Sequence, residues 1–135
     1  MIRYLLDTDI CIEIIRGRSA APLANLRRHR IGSVAISSIT LAELQYGVAR
    51  SRDPQRNRIA LIHFLAPLEV LPFDQHAADA YGEFRADLER AGGPIGPLDT
   101  LIAAQALAEK LTLVTNNQRH FARVADLHVE NWGSA

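Results

Sequence analysis

Three acids, Asp7, Glu43 and Asp99, stand where side chains of their type could do chemistry. Asp7 directly follows the apolar run Tyr4-Leu5-Leu6, and Asp9 comes two residues later. Asp9 is well placed to cap a helix beginning there, which leaves Asp7 without a structural task and favours a functional one. Glu43 closes Thr40-Leu41-Ala42-Glu43, a capping-box pattern in which the glutamate reaches back to the threonine amide. Taken alone, Glu43 reads as structural. Asp99 follows Gly96-Pro97-Leu98, inside the first turn of a helix that Pro97 starts. An aspartate there commonly faces the helix dipole, but the rigid glycine–proline entry also suits an acid positioned for a task. Carboxylates gathered at one place repel unless a cation lies between them, and an all-oxygen set suits magnesium or manganese. The five histidines, His29, His63, His76, His120 and His128, have no zinc-like spacing and read as surface or core residues.

The elements that must position these acids alternate between strand and helix. Residues 3–6 read as a buried strand, followed by a helix from Asp9 to Arg16 that stops at Gly17. A second helix is expected over 22–29, a strand over 33–36 and a helix over 41–49. Pro54 opens a helix to Leu65 with Ile59, Ile62 and Leu65 on one apolar face. Val70-Leu71 is a brief strand, and Asp74 caps a long helix to Ala91. Then come a helix over 98–109, a strand over 111–114, a short helix to about Val124 and a last strand at His128-Val129. This alternation predicts an α/β domain with a mainly parallel sheet, formed by residues 1–135 as one unit. Such sheets bind ligands beyond the carboxyl ends of their strands, where Asp7 would stand.

Composition permits this reading without naming a partner. Hydrophobic residues make up 48% of the 135, enough for a core without disulfides. Cys11, the only cysteine, lies in an apolar run and reads as a small buried hydrophobe. Formal net charge is zero, so no global cationic field announces nucleic acid. The basic residues are arginines except Lys110, with dense patches at Arg27-Arg28-His29-Arg30 and at Arg50, Arg52, Arg56 and Arg58. Such patches permit an RNA partner, although solvated helix faces look the same. No apolar stretch is long enough to span a bilayer and Asp7 interrupts any leader core, so a soluble, cytoplasmic protein is expected.

Four stretches carry a family resemblance: Tyr4-Leu5-Leu6-Asp7-Thr8-Asp9, the run from Ile36 to Gly47 that holds Thr40-Leu41-Ala42-Glu43, Gly96-Pro97-Leu98-Asp99-Thr100-Leu101-Ile102-Ala103, and Leu113-Val114-Thr115-Asn116-Asn117. In order and spacing the chain resembles the PIN-domain nucleases, most closely the VapC toxins of type II toxin–antitoxin modules. The resemblance implies a three-layer α/β/α sandwich, usually dimeric, and a magnesium- or manganese-dependent endoribonuclease. It reverses the local reading of Glu43, which joins Asp7 and Asp99 as catalytic and metal-binding residues. It also implies a VapB-type antitoxin, operator DNA bound only by the toxin–antitoxin pair, and RNA as substrate, with initiator tRNA the leading choice. One departure stands out. The family has a further acid after the Thr-Asn signature, where this chain has Asn117 and His120 and no carboxylate.

A cation held chiefly by Asp7 and Asp99, with Glu43 as ligand or water-orienting base, suits in-line hydrolysis of a phosphodiester that leaves a 5′-phosphate. Thr8, Asp9, Thr115, Asn117 and His120 are accessory candidates; the two threonines could equally serve their turns. The enzymatic rival is a haloacid-dehalogenase-like phosphatase, whose opening Leu5-Leu6-Asp7-Thr8-Asp9 imitates. That family needs a lysine after a later strand and a late acidic pair, which Lys110 and the residues after it do not supply. The non-enzymatic rival is a PIN-fold binding module without turnover, a reading that rests on the missing fourth acid.

Overall fold

A computed structural model describes residues 1–122 and 124–133. The strands are β1 (Tyr4–Leu6), β2 (Val34–Ser37), β3 (Glu69–Leu71), β4 (Thr112–Val114) and β5 (Val129–Glu130). They form one sheet in the order β3-β2-β1-β4-β5, and every neighbouring pair is parallel. β1 lies in the middle, with Tyr4 opposite both Val34 and Thr112.

The helices are α1 (Thr8–Arg16), α2 (Ala21–Arg27), α3 (Ser38–Ala49), α4 (Pro54–Leu65), α5 (Gln75–Arg90), α6 (Pro97–Glu109) and α7 (Gln118–Phe121). Alternation along the strands sends side chains to two cores. Leu6, Ile36 and Val114 join residues of α1 to α4 on one face of the sheet. Leu5, Ala35 and Leu113 join Phe84 and Leu88 of α5 and the alanine-rich flank of α6 on the other. This is the expected three-layer α/β/α arrangement. Cys11 is fully buried in the first core.

Most boundaries follow local chemistry. Gly17 closes α1 at φ 65°, a left-handed conformation that glycine adopts without strain. Asp53 and Asp74 cap α4 and α5 by accepting from the amides of Arg56 and Ala77. Differences from expectation cluster where long-range pairing decides. β2 runs on to Ser37, which pairs with Leu71, so α3 begins at Ser38 rather than 41. α7 ends at Phe121, short of Val124, and Arg123 lies outside the described residues. On α4 the buried pair is Leu61 and Phe64, whereas Ile59 and Ile62 are 57% and 59% exposed. The apolar face expected from Ile59 and Ile62 therefore looks outward. Among the described residues no helix is long and apolar enough to cross a membrane.

Candidate active site

The strand order reverses direction about β1, because β2 and β3 extend to one side and β4 and β5 to the other. At such a switch point the loops leaving two adjacent strands part and open a crevice at their carboxyl ends. Asp7 leaves β1 and Thr115 leaves β4 at that crevice. The Asp7 amide still donates to Val114 O at 3.0 Å, continuing the sheet by one bond.

Asp7 itself caps α1: its Oδ1 accepts from the Ile10 amide at 2.9 Å. The expectation that Asp9 supplies the cap is overturned. The strand pairing ends at Leu6, so the chain turns into helix at Thr8 and Asp9 falls within the first turn. Capping occupies only one carboxylate oxygen. Asp7 is 2% exposed, and its Oδ2 is buried with no hydrogen-bond partner among the described residues. Burial pushes the Asp7 carboxyl up from 3.8 to about 6, and the charges of Asp9 and Asp99 add to the rise. The Thr115 hydroxyl and the Ile10 amide act in the opposite direction.

Asp99 projects from the first turn of α6, whose entry is held by the Thr100 hydroxyl donating to Gly96 O at 2.8 Å. It is half-buried. Burial raises its pKa first and the Asp9 charge second, while His120 lowers it. Asp9 thus acts electrostatically on both Asp7 and Asp99, which makes it a member of the acidic group rather than a cap. Asp9 Oδ2 accepts from Asn117 Nδ2 at 3.4 Å, and the Asn117 amide donates to Thr115 Oγ1 at 3.0 Å. The segment lacking a fourth acid therefore brings an amide to Asp9 and an imidazole to Asp99. Both relieve negative charge instead of adding to it.

Glu43 stands apart from these three. Ser37 caps α3 by accepting from the Ile39 amide at 3.0 Å, so the capping box expected at Thr40 does not form. Thr40 lies inside the helix, fully buried, and accepts from the Thr8 hydroxyl at 3.1 Å. That bond ties the start of α1 to α3. Glu43, one turn further along α3, is half-buried and shares a groove with Thr8. Its charge is not among the causes that shift Asp7 or Asp99. Among the described residues no three carboxylate, thiol or imidazole groups form a ready-made metal cage.

The donor set nevertheless fits a hard divalent cation. The unpartnered Asp7 Oδ2 is a buried acceptor lacking a donor, and the carboxylate of Asp99 is close enough to raise its pKa. Magnesium commonly takes only one or two protein carboxylates and keeps several waters. The Cys11 thiol, pushed up by burial and by Asp7 and Asp9, stays protonated and is unsuited to ligation. Glu13 had no place in the sequence reading, and Asn116 entered it only within the Thr-Asn signature, yet Asn116 donates to the Glu13 carboxylate beside the Asp9–Asn117 pair. The spacing of Glu13 four residues after Asp9, on one helix face, was the available signal.

Lys110, the sole lysine, closes α6 at φ 56° and precedes β4. In a parallel sheet it lies at the edge opposite Asp7, where it cannot serve a phosphatase site built on that aspartate.

Comparison with known proteins agrees with the fold. The family model for the PIN domain matches residues 4–127. Ribonuclease VapC2 of Rickettsia felis is 45% identical over 130 residues, 96% of this chain and 97% of that protein. The tRNA(fMet)-specific endonuclease VapC of Shigella flexneri is 41% identical over 132 residues, 98% and 99% of the two chains. Among solved structures, VapBC2 of Rickettsia felis bound to a DNA fragment from its promoter superposes with TM-score 0.91 at 44% identity, covering 98% of this chain and 99% of that one. The DNA-bound VapBC of Salmonella typhimurium gives TM-score 0.92 at 39% identity, again covering 98% and 99%.

Proposed function

We propose, from the premise that this chain belongs to the PIN-domain family and within it to the VapC ribonucleases, that it is a toxin which hydrolyses RNA with a divalent cation held chiefly by Asp7 and Asp99. The observation that carries the site assignment is the buried, unpartnered Oδ2 of Asp7 beside a second carboxylate at the switch point of the sheet. Asp7 and Asp99 would hold the cation, magnesium or manganese, which when bound would neutralise phosphate charge and make a nearby water more acidic. Glu43 of α3 orients the attacking water and takes its proton. Water attacks phosphorus in line, the bond to the 3′-oxygen breaks, and that oxygen takes a proton from solvent, so the products end in a 5′-phosphate and a 3′-hydroxyl. Thr8 holds α3 against α1 through Thr40, which keeps Glu43 at a fixed distance from the acidic group. Asn117 and Asp9 brace the loop after β4. His120, whose ring lowers the Asp99 pKa, contacts the phosphate.

The substrate is an RNA loop, with initiator tRNA favoured by the name of the Shigella flexneri relative. The VapBC complexes among the structural relatives support a VapB-type antitoxin as partner and promoter DNA as a ligand of the pair. We place the active protein in the cytoplasm as a homodimer, with residues 1–135 forming one PIN domain; Ile59 and Ile62 offer uncovered apolar surface for assembly. The test is incubation of purified protein with initiator and elongator methionine tRNAs, with magnesium or manganese and with chelator. Metal-dependent cleavage of the initiator tRNA, leaving 5′-phosphate ends, is the expected result. No cleavage of any RNA with either metal would overturn the reading.

A further inference from the structure

The acidic group is not the whole of the crevice. A groove of about 480 Å³ begins at Thr8 and Glu43 and runs between α1 and α3 to Arg16, Arg50 and Arg52. Its floor is apolar, formed by side chains such as Ile12, Leu44 and Leu61. Its far end is cationic. Among the described residues the three arginines form no ion pair; the pairs present, Arg85–Glu89 and Arg90–Asp87, both lie on α5. Three guanidinium groups thus collect along one groove, whose lining holds a single carboxylate, Glu43, at the near end. Tyr46 lines the same groove, 62% exposed, with the Arg50 guanidinium 5.5 Å above its ring.

The geometry points to this groove as the track for single-stranded RNA on one side of the cut, with Arg16, Arg50 and Arg52 binding backbone phosphates and Tyr46 stacking a base. The inference rests on the ribonuclease reading above and deepens it. Arginine forks match phosphate oxygens, and an exposed aromatic ring offers a face on which an unpaired base stacks. α1 spans about 12 Å from Thr8 to Arg16 at 1.5 Å per residue, longer than one nucleotide, so the strand continues beyond the scissile phosphate. An apolar floor flanked by cations suits a strand whose bases turn inward and whose phosphates stay at the rim. It suits a duplex poorly, because paired bases present no faces to the floor. The groove thereby selects a loop or an unpaired end.

The test compares Arg50→Gln, Arg52→Gln and Tyr46→Ala with Tyr46→Phe and with Arg90→Gln, a charge control on α5. Cleavage of a short unpaired RNA is followed under single-turnover conditions at several salt concentrations, with circular dichroism and gel filtration on each variant. Each groove arginine variant should weaken RNA binding several-fold, leave the maximal rate within about twofold, and reduce the log–log salt slope by about 0.7 for each phosphate that is no longer neutralised. Tyr46→Ala should weaken binding and Tyr46→Phe should restore it; Arg90→Gln should match wild type. Wild-type cleavage with no change of affinity or slope in the groove variants overturns the groove while leaving the ribonuclease reading intact. So does loss of antitoxin binding, or loss of the dimer, in variants whose RNA affinity is unchanged. A wild-type protein that cleaves no RNA removes both.

Discussion

Replacing Asp7 by asparagine should stabilise the metal-free protein at neutral pH while removing its ability to gain stability from manganese. The size of the effect follows from the Asp7 carboxyl, raised from 3.8 to about 6 chiefly by burial. A raised carboxyl pKa means that the folded state holds the proton more tightly than the unfolded chain does. Below about pH 4 the group is protonated in both states and contributes no penalty. Between about 4 and 6 the unfolded chain ionises first, so stability falls as pH rises; above about 6 the whole penalty is present. At about 1.36 kcal/mol per unit it amounts to roughly 3 kcal/mol. Asparagine keeps the acceptor for the Ile10 amide, and asparagine and aspartate cap about equally well. Its buried NH2 group needs an acceptor and takes back about 1 kcal/mol. The expected net gain at pH 8 is about 2 kcal/mol, roughly 6–10 °C in Tm for a chain of this size. The assay is thermal unfolding in chelator at pH 8 and pH 4, then with manganese. The variant should exceed wild type at pH 8, and the gain should vanish at pH 4. Manganese at a hundred times its Kd should raise wild type by about 2.7 kcal/mol and leave the variant unmoved. Equal destabilisation of the variant at both pH values would refute the reasoning, because Asp7 would then be a structural cap and nothing more.

Asp99→Asn should abolish RNA cleavage while circular dichroism and Tm show an intact fold; retention of most activity would remove Asp99 from the site. Thr40→Val should lower stability by about 1 kcal/mol through loss of the Thr8–Thr40 hydrogen bond, and should lower kcat more than it raises KM, since Glu43 loses its brace. Asn117→Asp should tighten manganese binding in the RNA-free protein and lower the metal-free Tm at pH 8, because it sets a charge against Asp9. Calorimetric titration of wild type and Asn117→Asp reads the affinity, and two tight sites in wild type or no gain in the variant would contradict the assignment. Co-expression with the small reading frame next to the gene should restore growth and yield a co-purified complex; a toxin harmless by itself would exclude the regulatory role.

The residues that were legible in sequence are those whose position depends on local order. Asp7 follows a run too apolar to be anything but a buried strand, and Pro97 fixes where α6 begins, so both acids fall near their observed places. Choices between two competent neighbours were not legible. Asp7 and Asp9 can each cap a helix, as can Ser37 and Thr40, and in both cases the winner is set by where a strand stops pairing with a distant one. Glu43 belonged to the acid set only through family resemblance, since its local pattern argued for a cap. The link from Asn117 to Asp9 joins residues 108 apart and depends on β4 lying beside β1. Ile59 and Ile62 misled for a related reason: α4 enters the core through Leu61 and Phe64, and periodicity alone does not say which apolar stripe meets a neighbour.

The most direct test of a cation held between Asp7 and Asp99 is a metal switch at one ligand. Asp99→Cys exchanges a hard oxygen for a soft sulfur, which ligates cadmium well and magnesium badly. The only native thiol, Cys11, is buried and raised in pKa, so it does not compete. Initial rates of RNA cleavage should be high for wild type with magnesium, absent for Asp99→Cys with magnesium, and restored in that variant by cadmium. Undiminished cleavage by Asp99→Cys with magnesium, or wild-type cleavage that persists in chelator, would contradict the account.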